Sequence, residues 1–127
     1  MSHFTTVRTE LRNGDLVAKA LDRLGFSFER GQVDIKGYEG QRDAAEFRLP
    51  TKDPDYDIGL RRAGDRYEVV ADWWGISEHE EKAFAARLNR EYAIVATTES
   101  LEKQGFREVQ FSESPKGEVR ILLRRPA

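Results

Sequence analysis

The sequence predicts an α+β fold, a mainly antiparallel β-sheet with two main helices packed on one face. Three observations predict it. A strand–turn–strand pattern, "YDIGLRRAGDRYEVVADWW", occupies the centre of the chain. Two stretches with apolar residues at helical spacing stand on either side of it. The remaining segments are short, alternating and punctuated by glycine, and tight hairpins join strands antiparallel.

The elements follow in order. "HFTTVRT" alternates, with Phe4, Thr6 and Arg8 on one side and Thr5, Val7 and Thr9 on the other, so it reads as a strand. Asn13 or Asp15 can cap the next element. Its Leu16, Val17, Ala20, Leu21 and Leu24 form one helical stripe, which Gly25 ends. Three β-like pieces come next: "FSFE", "VDIKGY" and "AAEFRLP", the last with Ala45, Phe47 and Leu49 in alternation. The central hairpin turns at Gly64-Asp65, or over the four residues Ala63 to Arg66, and both loops give one register. Arg62 then faces Tyr67, Leu60 faces Val69, Ile58 faces Ala71 and Tyr56 faces Trp73, on the apolar side. The other side pairs Arg61 with Glu68, Gly59 with Val70 and Asp57 with Asp72, and Trp74 extends it. Ser77 and Glu80 match a capping box for a second helix carrying Phe84, Leu88, Tyr92 and Val95. Glu99 can pair with Lys103, Gly105 is the natural end, and the β-branched cluster "IVATT" leaves room for a break between Ala93 and Thr98. "REVQF" and "EVRILLRR" close the chain around the turn "SESPKG". The predicted order is β-α-β-β-β-β-β-α-β-β. The predicted core is Trp73, Tyr67, Val69, Ile58, Leu60, Leu21, Leu24, Phe84 and Leu88.

Composition narrows the function classes. A chain of 127 residues without a linker or repeat is expected to be one domain, residues 1–127. The absence of cysteine excludes disulfides, zinc-thiolate sites and cysteine nucleophiles. Lys+Arg is 21 against 23 Asp+Glu, a net charge of -2, which argues against an electrostatic nucleic-acid binder. No apolar run is long enough to span a membrane, and the N-terminus does not read as a signal peptide. His3 and His79 are the only histidines and stand in no metal-ligand spacing. "GYEGQRDAAE" has glycines but no phosphate-binding fingerprint, and no G-x-S-x-G occurs. No cofactor is expected.

The candidate site comes from the paired tryptophans. Neighbours in a strand point to opposite faces, so Trp73 and Trp74 cannot both enter one core. Trp73 falls on the apolar side. Trp74 falls on the other, which presents Asp57, Gly59, Arg61, Glu68, Asp72 and Trp74 together. Asp57 and Asp72 opposite one another repel and call for a cation. Arg61, Arg8, Lys36, a metal ion or a partner's basic side chain could supply it. Gly59 leaves a shallow gap beside Val70 where something could approach closely. Polar sheet faces with ion pairs across them are usually structural. The functional reading is a binding or adaptor module that holds another protein through Asp57, Arg61, Asp72 and Trp74, with Glu68 at the edge. The alternatives are a small-molecule or metal-dependent enzyme built on Asp57 and Asp72, and a nucleic-acid binder using Arg61, Arg62, Arg124 and Arg125.

Several stretches carry a family likeness: "MSHFTTVRTEL", "VDIKGYEGQ", "YDIGLRR", "YEVVADWWGI", "LNREYA" and "EKQGF". In this order, over nearly the whole chain, they resemble the domain of unknown function 1257 family. That family includes hypothetical chloroplast reading-frame proteins of cyanobacteria and algal plastids. The resemblance implies a soluble protein of the bacterial cytoplasm or plastid stroma. It also implies action alongside other components, such as an AAA-type ATPase or a small ferredoxin. It transfers no mechanism. Without cysteines the chain itself cannot hold an iron–sulfur cluster by the usual thiolates.

Overall fold

The structure, a computed structural model, describes residues 3–124. Its strands are β1 (Thr5–Arg8), β2 (Glu29–Lys36), β3 (Arg42–Pro50), β4 (Asp57–Ala63), β5 (Arg66–Ala71), β6 (Glu108–Glu113) and β7 (Val119–Arg124). Its helices are α1 (Gly14–Arg23) and α2 (Glu81–Lys103). Five strands form one sheet in the order β1-β5-β4-β3-β2, antiparallel throughout, and β6-β7 form a separate hairpin.

The central hairpin has the register that alternation predicts. Ile58 lies opposite Ala71, Leu60 opposite Val69, Arg61 opposite Glu68 and Arg62 opposite Tyr67. Gly64 and Asp65 make the turn, and Gly64 takes a φ of 69° there. Apolar residues of β3, β4 and β5 meet Val17, Ala20 and Leu21 of α1 and Phe84, Leu88 and Val95 of α2 in one core. Both helices therefore cover the same face. Of the expected core, Leu24 and Trp73 are partly buried against this cluster, and the other seven residues lie inside it. The Asn13 carboxamide caps α1 by accepting from the N–H groups of Asp15 (2.9 Å) and Leu16 (3.2 Å).

Five expectations need correction. "FSFE" is no strand of its own: Phe26 and Phe28 sit in the loop before β2 and insert their rings against Phe84 and Phe47. One strand fewer precedes α2 than alternation predicts, because aromatic burial drives the same apolar spacing. The α2 N-cap is Glu80, without a side-chain capping bond, so the Ser77–Glu80 box does not form. "IVATT" does not interrupt α2, where the Thr98 hydroxyl donates to the Ile94 carbonyl at 2.8 Å. Glu99 pairs with Lys19 of α1 instead of Lys103, since packing of the two helices brings the lysine across. Finally, β5 stops at Ala71, and Trp73–Gly75 form a 3-10 turn rather than a strand end.

The far face of the sheet is not the flat polar surface that alternation predicts. It carries a second, smaller core of Ile35, Ala45 and Val70, with Phe4 and Val33 against it. A bulge between Arg30 and Val33 breaks the β2–β3 register. Phe47 and Leu49 join the main core while Ala45 joins the second one, so strict alternation along β3 fails there. The end of β2 then lies across the far side of β4 and β5. The gap expected at Gly59 is filled: a Cβ at that position would stand 2.9 Å from Ile35 Cγ2 and 3.1 Å from Val70 Cγ1.

Candidate functional site: two buried aspartates beneath an aromatic ledge

Asp57 and Asp72 are each only 1% exposed. Neither neutralises the other's charge, and each is occupied by a donor from elsewhere in the fold. Asp57 Oδ2 accepts the backbone N–H of Lys36 at 2.9 Å and Arg48 Nε at 3.1 Å. Arg48 reaches on to Glu29 at 2.9 Å. Asp72 Oδ2 accepts the backbone N–H of Tyr38 at 3.1 Å. The other oxygen, Asp72 Oδ1, is buried and accepts no hydrogen bond among the described residues.

These bonds have a structural logic. The last residue of β2 and the turn that follows it donate alternate N–H groups, from Lys36 and Tyr38, to two carboxylates instead of to a neighbouring strand. The aspartates thus serve as the acceptors that an extra strand would have supplied. Phe4, just before β1, closes the arrangement from the other edge. Gly37 lets that ring lie close, because a Cβ there would meet Phe4 Cζ at 2.8 Å and Asp72 Cβ at 3.3 Å. Of the compensating cations foreseen from the sequence, neither Arg61, Arg8 nor the Lys36 ammonium takes the role. Arg48 and two backbone N–H groups do.

Arg61 is bound elsewhere. It holds Glu68 at 2.7 Å and Asp43 at 2.8 Å. Arg62 donates to the Tyr67 hydroxyl at 2.9 Å and to the Arg12 carbonyl at 3.2 Å. Of the other arginines considered for nucleic acid, Arg124 lies at the end of β7. Arg125 lies outside the described residues. A groove of about 690 Å³ runs beside Gly31, Val33, Ala45, Glu46, Arg61 and Arg62, and neither aspartate lines it.

Trp74 has left the sheet face altogether. It projects from the 3-10 turn with 73% of its surface exposed. Its ring meets Tyr38 edge-on, centroids 5.8 Å apart. Tyr38 is the residue whose N–H Asp72 holds, so the carboxylate fixes the aromatic pair from below. Trp73 turns inward against Phe84, 5.9 Å between centroids. The structure thus gathers Asp57, Asp72 and, through Tyr38, Trp74 at one end of the sheet. It leaves Arg61 and Glu68 in a separate ion-pair cluster.

Alternation could not show Tyr38 as a site residue, because its role depends on β2 crossing the far face. Arg48 was within reach: it alternates with Phe47 and Leu49, and it lies opposite Gly59, two residues from Asp57. What was missing was knowledge that β3 neighbours β4. A further polar network was also unseen. The Tyr67 hydroxyl donates to Glu46 at 2.8 Å, and Arg30 links Glu46 (3.2 Å) to Asp15 (2.8 Å). Burial, then the bond to Glu46, pushes the Tyr67 hydroxyl above its ordinary pKa. His79 packs between the rings of Phe26 and Phe84, and burial lowers its pKa.

Fold and site together define a class: a single α+β domain whose curled antiparallel sheet is latched by two buried aspartates. The described residues hold no group of three or more His, Cys, Asp or Glu side chains placed for a metal, and no helix long and apolar enough to cross a membrane. The chain belongs to the family described as "Protein of unknown function (DUF1257)", which matches residues 20–122. It is similar to the uncharacterized protein ycf35 of Cyanophora paradoxa, 26% identical over 127 residues and covering 98% of both chains. It is similar also to the ycf35 proteins of Pyropia yezoensis and Guillardia theta, each 28% identical over 131 residues and 98% of both chains.

Proposed function

We propose that this protein is a non-catalytic binding module that holds a protein partner on the ledge formed by Trp74 and Tyr38. The exposure of Trp74 carries the reading. A tryptophan left 73% in water is costly to keep there and well suited to an interface anchor. Its neighbour Trp73, one residue away, is packed, so the exposure is specific to one ring. In this reading Asp72 and Asp57 are positioning residues that hold Tyr38 and Lys36. Arg61 and Glu68 brace the sheet outside the contact.

An enzyme built on Asp57 and Asp72 would need its carboxylates open to substrate, whereas both are 1% exposed and engaged with chain donors. A nucleic-acid surface at Arg61 would have to displace Asp43 and Glu68. The likeness to ycf35 proteins of three algae supports a plastid setting more than a cytoplasmic one.

The test is site-specific photocrosslinking in the native host, with the reactive side chain at position 74 and a control at exposed Lys103. The expected result is a discrete adduct of one mass at 74 that is missing at 103. Equal labelling at both positions, or none at 74, rejects the ledge as an interface.

A further inference from the structure

The chemistry of the partner can be read from the charges around the ledge. Tyr56 packs beside it, buried, with its ring against Gly75. Burial comes first in pushing the Tyr56 hydroxyl above its ordinary pKa, followed by the negative charges of Asp72 and Asp53, then Tyr38 and Asp55. The loop before Tyr56 carries Lys52 together with the two carboxylates Asp53 and Asp55. Glu39 adds a further carboxylate, bonded to the Tyr38 hydroxyl. Asp53 and Asp55 are exposed in the loop that leads to Tyr56, and Glu39 is exposed next to Tyr38 in the chain.

A second observation points the same way from inside. Asp72 is almost wholly buried, yet its Oδ1 accepts nothing among the described residues. Asp57, by contrast, has a guanidinium at 3.1 Å. A buried carboxylate oxygen left unanswered is costly, and a nearby cation would lower that cost. The same carboxylate lies against Tyr38, whose N–H it holds. Exposed aromatic faces over unbalanced negative charge favour cations, and a planar guanidinium stacks on tryptophan better than an ammonium does.

We infer that the Trp74–Tyr38 ledge takes an arginine side chain of the partner protein, stacked on Trp74 and drawn by the charges of Asp72, Asp53 and Asp55. This rests on the reading of the ledge as a protein interface, and it adds what the partner must present there. The guanidinium need not touch Asp72, which is buried, because Asp53 and Asp55 stand exposed to solvent.

The experiment is a two-dimensional NMR titration of the full chain with three blocked tripeptides: acetyl-Leu-Arg-Leu-amide, its citrulline counterpart and its lysine counterpart. The arginine peptide should shift the Trp74 indole and the backbone amides of Tyr38 and Glu39, and leave the Trp73 indole in place. Citrulline, which keeps the shape but loses the charge, should bind about tenfold more weakly. The lysine peptide should bind more weakly than the arginine peptide. Trp74→Ala should abolish the shifts. A double variant, Asp53→Asn with Asp55→Asn, alters only exposed residues and should weaken binding roughly threefold. Asp72→Asn, which keeps an acceptor for the Tyr38 N–H, should weaken it too. Equal binding of the citrulline or lysine peptide overturns the inference, as does a shift confined to another surface. If arginine preference is absent while crosslinking at position 74 persists, the ledge remains an interface and only its chemistry is misassigned. If both fail, the interface reading falls with it.

Discussion

Trp73 and Trp74 are adjacent in sequence and opposite in environment, and the difference is made by the backbone rather than by the rings. The 3-10 turn begins where β5 has ended, so the two side chains diverge around a tight turn instead of alternating across a strand. Trp73 lies against Phe84 and the main core. Trp74 lies against Tyr38 and water. Trp73→Ala should therefore cost about 3 kcal/mol, the low end for large aromatic truncations because the ring is only partly buried. Trp74→Ala should change stability by no more than about 0.5 kcal/mol, as surface substitutions do. Urea melts of both variants check this. A Trp74→Ala variant as damaged as Trp73→Ala would mean that the exposed ring holds the turn together and is no free ledge.

At the scale of elements, the two aspartates decide how the end of β2 is held, and they should respond differently to loss of charge. Asp57→Asn leaves Arg48 facing a neutral amide, with the exposed Glu29 as its remaining counter-charge among the described residues. Such a broken pair is costly, and about 2–3 kcal/mol is expected here because Arg48 keeps some solvent contact. Asp72→Asn keeps an oxygen to accept from Tyr38 and replaces a carboxylate whose Oδ1 accepts no hydrogen bond among the described residues, so it should cost less than Asp57→Asn or even stabilise. Thermal melts of the two variants and their double decide it. Equal destabilisation would show that Asp72 has a cation partner after all. The same elements show what was legible in the sequence. The register of β4 with β5 could be read from period-two alternation and a Gly-Asp turn, because both are local. The stripes of α1 and α2 could be read for the same reason. The curl of β2 could not: it depends on a bulge near Gly31 and on long-range acceptors at positions 57 and 72, neither of which leaves a periodic trace. Asp57 and Asp72, the like charges that alternation sets opposite one another, are both buried, and each accepts a backbone N–H from the end of β2 or the turn after it.

At the scale of the whole molecule, the chain divides by how its strands are supported. The five-stranded sheet has a core on each side, one under the helices and one under the end of β2. Among the described residues, the β6–β7 hairpin is held by its own ladder and by a flank of α2, where Arg90 holds Glu113 at 2.6 Å. Ile121, Leu122 and Leu123 are 45%, 54% and 37% exposed, so consecutive residues on both faces of β7 meet water. A two-stranded hairpin with three consecutive aliphatic residues in water is marginal by itself. Its amides should therefore exchange with deuterium through local opening, well before those of β4 and β5, which need the whole sheet to open. Arg90→Ala should speed exchange in Glu108–Arg124 and leave Ile58 to Leu60 unchanged. The measurement is exchange followed residue by residue at several protein concentrations. If the hairpin amides are as protected as those of β4 at every concentration, the hairpin is part of the same cooperative unit and this division of the molecule is wrong. If their protection rises with concentration, a second copy is covering the exposed aliphatic residues, and the hairpin's marginal stability in the single chain is the reason it does so.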